Sequence, residues 1–235
     1  MRRAGWNVLT IHYRGSWGGP GNFTFAHCLE DAAAAIHWLR DPAINEKLRI
    51  DPQRIAVVGH SMGGFVAAHT AAQTPEILGA ALISGVDLGQ AFGNGDPNHA
   101  ASAVDDNVGT SAGLHILAGT TPSLLAEEAR ANSQTWRLAR YAPCLADRPL
   151  LMVTSEDGFA PGCDALADAV QVLGSENLVR VHFATDHSYS GCRVRLQIQL
   201  LKWLTAVASP PSTSDGDPTY GDNTTRKGAH GASRN

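Results

Sequence analysis

Short apolar runs alternate with longer amphipathic stretches along most of this chain. The runs at residues 7–12, 55–58, 80–83, 150–154 and 178–183 are rich in β-branched and aliphatic residues, and each predicts a strand. The run at 55–58, Ile-Ala-Val-Val, has no polar alternation. It therefore predicts a parallel strand that is buried on both faces.

Between these runs, apolar residues recur at the spacing of amphipathic helices. They predict helices over residues 28–39, 65–73, 162–173 and 194–208. The pair Asp41-Pro42 should end the first helix, because the residue before a proline disfavours helical backbone. Strands that alternate with helices are typical of an α/β fold, in which helices flank a mostly parallel sheet.

The alternation of strands and helices breaks between about residues 86 and 145. A loop-like stretch at 89–97 precedes helical patterns at 99–117 and 122–140, which predicts a small helical lid inserted between two strands. The large apolar residues of this region either line an apolar pocket or pack the lid helices onto the core. Both interpretations stay open for Leu114, Leu117, Leu124, Leu125 and Trp136.

The composition changes sharply near residue 208. Residues 209–235 are mostly Ser, Pro, Thr, Asp and Gly, with almost no large apolar side chain. Such a segment cannot bury enough surface to offset the entropy of ordering it. We therefore predict a single domain over residues 1–208, followed by a disordered tail over 209–235.

The composition also narrows the range of partners. A formal net charge of −4 gives no basic surface of the kind that binds nucleic acid. No apolar run approaches the roughly 18 residues of a membrane span, and no signal peptide is visible, so a cytoplasmic protein is expected. The four cysteines form no C-x-x-C pair, which disfavours a metal or redox motif, and buried free thiols are expected instead.

Candidate chemistry begins at residues 59–63, Gly-His-Ser-Met-Gly, which match the G-x-S-x-G pattern. The motif lies between the predicted strand at 55–58 and the helix that follows, as a nucleophile elbow requires. Such a sharp turn exposes the Ser61 hydroxyl and directs helix N–H groups at the reacting centre. The motif glycines, together with Gly64, would leave room for the turn. The alternative is an ordinary glycine-rich connection.

A base and an acid follow the last two predicted strands. Asp157 comes after the strand at 150–154, and His187 comes after the strand at 178–183. Both positions lie at the carboxyl edge of the sheet, where ligands of open α/β sheets bind. The weaker candidates are His182 for the base and Glu156, Asp164 and Asp186 for the acid.

Taken together, these motifs resemble the α/β-hydrolase superfamily, in its serine esterase/lipase and prolyl-oligopeptidase-like branches. The resemblance covers residues 6–204. It is carried by His-Tyr-Arg-Gly-Ser-Trp-Gly at 12–18, by residues 59–64, and by the turns at 155–157 and 186–188. The order of Ser, Asp and His along the chain is also that of the family.

The resemblance implies a serine hydrolase that acts on small-molecule esters. Ser61 would be the nucleophile, His187 the general base and Asp157 the residue that orients it, while the Met62 N–H would stabilise the oxyanion. No metal or organic cofactor is expected. The alternatives are a peptidase of the prolyl-oligopeptidase type, although no propeller repeat is visible, or an inactive truncated relative. The oligomeric state and the acyl and alcohol specificities stay open.

The chain departs from the family at its N-terminus. Members of the family have further strands and a helix before the strand predicted at 7–12, and a loop among them supplies a second oxyanion donor. This chain is therefore expected to lack those strands and to expose a sheet edge. The glycine-rich residues 12–19 either replace the missing donor or form a tight strand-to-helix turn.

Overall fold

The computed structural model describes residues 1–93 and 114–209. Four parallel strands form one sheet in the order in which they occur along the chain. They are β1 (Ala56–His60), β2 (Gly79–Ile83), β3 (Leu150–Ser155) and β4 (Leu178–Phe183). The parallel sheet and its flanking helices confirm the predicted α/β fold.

Eight α-helices can be placed in the described residues. They are α1 (Phe25–Leu39), α2 (Pro42–Leu48), α3 (Met62–Gln73), α4 (Leu88–Gly93), α5 (Pro122–Ala131), α6 (Ala142–Leu145), α7 (Ala160–Val172) and α8 (Arg193–Ala208). The helices predicted at 28–39, 65–73, 162–173 and 194–208 are confirmed as α1, α3, α7 and α8. In this part of the chain no helix is both long and apolar enough to cross a membrane.

Helix α2 was not predicted, because Asp41-Pro42 both ends one helix and begins the next. The Asp41 carboxylate accepts a hydrogen bond from the Ala43 N–H at 2.8 Å, which caps α2. Pro42 is the first residue of the helix, where its missing N–H costs nothing.

The interior of the sheet lies at β2 and β3, whose residues are all buried. Strand β1 differs from its prediction, since Val58 is 40% exposed and only Gly59 of the strand is buried. The reason is its position. In the described residues β1 pairs only with β2, so its outer side is not covered by a neighbouring strand.

The strand predicted at residues 7–12 is wrong. That segment has neither helical nor strand structure, and Val8, Leu9 and Ile11 are exposed. A strand needs a neighbour to satisfy its hydrogen bonds, and an open groove of about 980 Å³ separates this segment from β1. The apolar pattern at 7–12 therefore does not mark a strand of this sheet.

The described part of the predicted lid packs against the domain. Leu125 and Trp136 are buried in the main core, and Leu117 packs against it, which supports the packing interpretation for these residues. Leu124 is exposed. Glu128 on α5 also joins the two regions, because its carboxylate accepts the N–H groups of the first two residues of α1, each at 2.8 Å.

Three predictions fall partly outside the described residues, namely the loop at 89–97, the helix at 99–117 and the tail at 209–235. In the described part of the predicted helix, Leu114–Ile116 form a single 3₁₀ turn. The loop predicted at 89–97 is wrong over its described part, where α4 continues to Gly93. The prediction of buried free thiols holds for Cys28 and Cys163, but it fails for the exposed Cys144 and the half-buried Cys192.

Candidate active site

Ser61 lies at the sharp turn that joins β1 to α3. Its backbone has φ 58° and ψ −123°, a strained conformation for a residue with a side chain. The Ser61 N–H donates to the Ile83 carbonyl at 2.9 Å, which fixes the turn to the end of β2. The hydroxyl is therefore held at the carboxyl edge of the sheet, as the motif predicted.

The glycines around Ser61 contribute in different ways. A Cβ atom at Gly59 would overlap the Gly63 carbonyl, and one at Gly64 would come within 2.6 Å of the Gly85 Cα. These positions thus require glycine, as expected. Gly63 does not, because a Cβ atom there would meet nothing within 4 Å; only its backbone approaches closely.

The predicted oxyanion donor is the first residue of α3. In the part of the chain that the structure describes, the Met62 N–H has no backbone hydrogen-bond partner. This is the normal state of N–H groups in the first turn of a helix, and the helix dipole places partial positive charge there. The position suits an anion that forms beside Ser61.

Asp157 and His187 are brought together as predicted. The His187 Nδ1 and the Asp157 Oδ2 are 2.8 Å apart. The Asp157 side chain is 3% exposed and that of His187 is 34% exposed, so a buried carboxylate holds an imidazole that reaches solvent. The Phe159 N–H donates to the other carboxylate oxygen at 3.0 Å. This arrangement fixes the tautomer that leaves Nε2 free to accept a proton.

Asp157 is ionised at neutral pH. Burial by itself raises the pKa of its carboxyl, but the nearby Ser84 hydroxyl and the hydrogen bonds from His187, Ser155 and the Phe159 N–H outweigh burial and lower the pKa to about 2. Hydrogen bonds to the charged form are the cause of such a depression. A negative charge therefore faces His187 throughout the range in which an imidazole would work as a base.

His60 connects the serine turn to the histidine loop. Its Nε2 lies 2.8 Å from the His187 carbonyl oxygen, and because a carbonyl only accepts, Nε2 carries the proton. The two rings are 4.5 Å apart. Partial desolvation of the ring lowers the pKa of His60, which favours the neutral ring at pH 7. Among the described residues no hydrogen bond joins the Ser61 hydroxyl to His187, a contact that often tightens only when substrate is bound.

The weaker sequence candidates are directed elsewhere. His182 bonds a threonine of β3, and Asp164 pairs with an arginine of β4 at 2.7 Å. Asp186 accepts a backbone N–H of its own loop, while Glu156 is exposed. Among the carboxylates considered from the sequence, Asp157 is the one that reaches the ring of His187.

The glycine-rich loop is a tight turn. The N–H groups of residues 15, 16 and 19 bond carbonyls within the loop, and that of Trp17 bonds Ile116. These donors are already used, so they are not available to an oxyanion. The turn interpretation is supported at these four positions.

Sequence reasoning missed His60 and three buried hydroxyls behind Asp157, which belong to Ser84, Ser155 and Tyr189. His60 could have been noticed as a hydrogen-bonding side chain next to the nucleophile. The hydroxyls come from three separate segments, and no spacing in the sequence links them.

Comparison with known families gives one match over most of the chain. The family model described as alpha/beta hydrolase fold matches residues 1–188. Over 71 residues, the chain is 39% identical to an uncharacterized protein of Mycobacterium tuberculosis. That match covers 30% of this chain and 24% of the relative, so the chain aligns with only about a quarter of its length.

Solved structures with similar folds include a Pyrococcus furiosus esterase (TM-score 0.59, 16% identity, covering 87% of this chain and 72% of that chain). A Paleococcus ferrophilus monoacylglycerol lipase has TM-score 0.57 and 14% identity, covering 88% and 86%. A puromycin-hydrolyzing peptidase of Mycobacterium tuberculosis has TM-score 0.52 and 22% identity, and covers 81% of this chain but only 26% of that one. Identities this low establish the fold alone.

Proposed function

Because this chain belongs to the α/β-hydrolase family, whose model matches residues 1–188, we propose that it is a serine hydrolase that cleaves carboxylic esters. Ser61 is the nucleophile, His187 the general base and Asp157 the acid that orients it. The observation that carries the proposal is the strained turn at Ser61, which His60 ties to the loop of His187, the residue that pairs with Asp157.

Acylation begins when the Ser61 hydroxyl attacks the ester carbonyl carbon. The hydroxyl proton passes to His187 Nε2, while the electrons of the C=O bond move onto the carbonyl oxygen. The ionised Asp157 stabilises the imidazolium that forms. As the tetrahedral intermediate collapses, the bond to the alcohol oxygen breaks, and the alcohol leaves with the proton from His187.

Deacylation repeats these steps with water. His187 takes a proton from the water molecule, whose oxygen attacks the acyl carbon on Ser61. When the second intermediate collapses, the bond to the Ser61 oxygen breaks and the proton returns to Ser61. The acid product leaves and the enzyme is restored.

The Met62 N–H is the proposed oxyanion donor in both steps. It lies at the N-terminus of α3, directly after Ser61, and the charge that develops on the carbonyl oxygen forms beside it. Removing one such donor typically lowers kcat on the order of 10²–10³-fold. Ester hydrolysis is a less demanding reaction than amide hydrolysis, so one donor on a helix N-terminus supports the ester proposal more readily.

A serine peptidase is the second candidate. The Ser, Asp, His order serves peptides equally well, and the similar fold of a puromycin-hydrolyzing peptidase covers 81% of this chain. The esterase and the lipase match this chain over most of their own lengths, whereas the chain covers about a quarter of the peptidase. These coverages bear on the fold alone, and esters are tested first because the single proposed oxyanion donor suits the less demanding reaction.

The test is turnover of p-nitrophenyl acetate and p-nitrophenyl butyrate, measured beside aminoacyl-p-nitroanilides. Ser61→Ala is the key variant, and Ser123→Ala, which alters an exposed serine on α5, is its matched control. Labelling by a fluorophosphonate, followed by mass mapping of the modified peptide, identifies the reactive serine without any assumption about the substrate.

We expect ester turnover that Ser61→Ala abolishes and Ser123→Ala retains, with the label on Ser61. Turnover confined to the anilides would replace the ester proposal with the peptidase. A folded chain that neither turns over esters nor takes the label would overturn the proposal, and the inactive relative would then be the correct interpretation.

A further inference from the structure

Three buried hydroxyl groups form a continuous hydrogen-bonded chain behind Asp157. The Tyr189 hydroxyl lies 2.9 Å from the Ser84 Oγ, which lies 3.0 Å from the Ser155 Oγ. The Ser155 Oγ lies 2.7 Å from the Asp157 Oδ2, the same oxygen that bonds His187. Tyr189, Ser84 and Ser155 are each 1% exposed, so the chain is sealed from solvent.

The direction of every bond in this chain follows from the carboxylate. Because an ionised carboxylate only accepts, Ser155 must donate to Asp157. The single proton of Ser155 is then used, so Ser84 must donate to Ser155. By the same reasoning Tyr189 donates to Ser84, and its contact with the Val153 carbonyl at 3.4 Å is the weaker use of that proton.

Two members of this chain are held in strained backbone conformations. Ser84 has φ 44° and Tyr189 has φ 53°, values at which glycine is the favoured residue. Each non-glycine residue in such a conformation costs on the order of 1 kcal/mol or more. With Ser61 they are three of the five non-glycine residues at positive φ in the described chain, and such strain clusters at functional sites.

We propose that Tyr189, Ser84 and Ser155 are positioning residues, a hydroxyl relay that orients the Asp157 carboxylate toward His187 and keeps it ionised. The relay supplies a donor to the oxygen that holds His187, and the successive bonds polarise one another in the same sense. The carboxylate is thereby fixed against rotation without a contact from solvent. This inference rests on the proposed function of the site.

A purely structural interpretation exists, since buried hydroxyls must find partners somewhere. It predicts that removing a hydroxyl lowers stability without a graded effect on Asp157. The relay predicts a gradient, in which the effect on Asp157 decreases with the number of bonds that separate it from the altered hydroxyl. The two interpretations therefore differ in whether the effect on Asp157 falls in a fixed order among the variants.

The experiment compares Ser155→Ala, Ser84→Ala and Tyr189→Phe in the full chain. The first readout is the titration of the Asp157 carboxyl carbon by NMR, assigned by its loss in Asp157→Asn. Thr70→Val is the matched control, because Thr70 is also buried but its hydroxyl has no hydrogen-bond partner in the described residues. Ser155→Thr, which keeps a hydroxyl, tests rescue.

Other titratable groups face this pair and are the same in every variant. They are His60 on the serine turn and Cys163 on α7, whereas Asp186 adjoins His187 in sequence but bonds the Ser190 N–H. Shifts between variants can therefore be assigned to the relay. Ser155→Ala should raise the titration midpoint of Asp157 by about one pH unit. Ser84→Ala should raise it less and Tyr189→Phe least, while the control leaves it unchanged.

The second readout is steady-state kinetics on the preferred p-nitrophenyl ester. The variants should lower kcat in the same order, on the order of tenfold for Ser155→Ala, with KM little changed and with partial recovery in Ser155→Thr. If Ser155→Ala fails to fold, Tyr189→Phe against Ser84→Ala still tests the order, since Phe keeps the ring. Equal titration midpoints in all folded variants would overturn the relay.

The two proposals fail separately. NMR titration needs no substrate, so a graded shift in a chain without hydrolase activity would keep the relay and reject the proposed function. Normal turnover with no shift in any variant would keep the function and reject the relay.

Discussion

Asp157→Asn should make the stability of this protein less dependent on pH. The pKa of Asp157 is about 2 in the folded chain, against an ordinary value of 3.8. Since folding lowers the pKa, the ionised form favours the folded state. The resulting stabilisation is complete above about pH 5 and is lost as the pH falls toward 2. The difference corresponds to roughly 2 kcal/mol at pH 7, in a side chain that is almost fully buried.

Urea unfolding at pH 7, 5, 4 and 3 measures this contribution. Asn keeps the size of the side chain but cannot ionise, so it stands in for protonated aspartate at every pH. The free energies of unfolding of wild type and Asp157→Asn should therefore approach each other by about 1 kcal/mol between pH 7 and pH 3, with most of the change below pH 4. Glu156→Gln, which alters the exposed neighbouring carboxyl, is the control.

A constant difference between wild type and Asp157→Asn across that pH range would refute the reasoning. It would mean that Asp157 is not held ionised by its hydrogen bonds, and the pair with His187 would have to be reconsidered. If Glu156→Gln reduced the pH dependence of stability as much as Asp157→Asn does, general charge effects rather than this site would govern the loss of stability at low pH.

Three further outcomes can be checked on the same protein. Gly59→Ala should lower the free energy of unfolding by more than about 4 kcal/mol, because its Cβ would overlap the Gly63 carbonyl. Gly63→Ala is the control, because a Cβ there meets open space, and it should change the free energy of unfolding by less than about 1 kcal/mol. Chemical denaturation measures both values. Glu128→Ala removes two charged hydrogen bonds to α1 and should lower the free energy of unfolding by about 1–3 kcal/mol. Glu127→Ala alters an exposed residue of α5 and should change the free energy of unfolding by under about 0.5 kcal/mol. An aromatic disulfide reagent should modify Cys144 fastest in the native protein and the half-buried Cys192 more slowly, while Cys28 and Cys163 should react only after unfolding. Fast modification of Cys28 and Cys163 in the native protein would contradict the described packing.

The positions of Ser61, Asp157 and His187 could be predicted because they depend on topology alone. In a parallel sheet the carboxyl ends of the strands lie at one edge, so residues that directly follow strands converge there. The segment at 7–12 was mispredicted for the opposite reason. Its apolar pattern describes the residues, but a strand also needs a neighbour, and no pattern within the segment can show whether one is present.

The relay behind Asp157 could not be predicted for a different reason. The relay consists of ordinary hydroxyl residues from three separate segments, Ser84, Ser155 and Tyr189. Their proposed role depends on the buried Ser84 hydroxyl lying within 3.0 Å of the other two hydroxyls. The unusual backbone of Ser84 and Tyr189 is likewise invisible in the sequence, because serine and tyrosine do not mark positive φ as glycine does.

The order of the strands divides the site between two halves of the chain. Ser61 belongs to the half that contains β1 and β2, whereas Asp157 and His187 belong to the half that contains β3 and β4, and the halves meet where Ala81 lies opposite Leu151. The connection between β2 and β3 is much longer in sequence than the other two, and closing a longer loop before its contacts form slows folding. During refolding, each half can thus gain its helices early, while Ser61 meets Asp157 and His187 only when this last junction closes. Closure of the sheet would then lag behind recovered helical circular dichroism, and the delay would measure how long the folding chain exposes an unfinished sheet to chaperones and proteases.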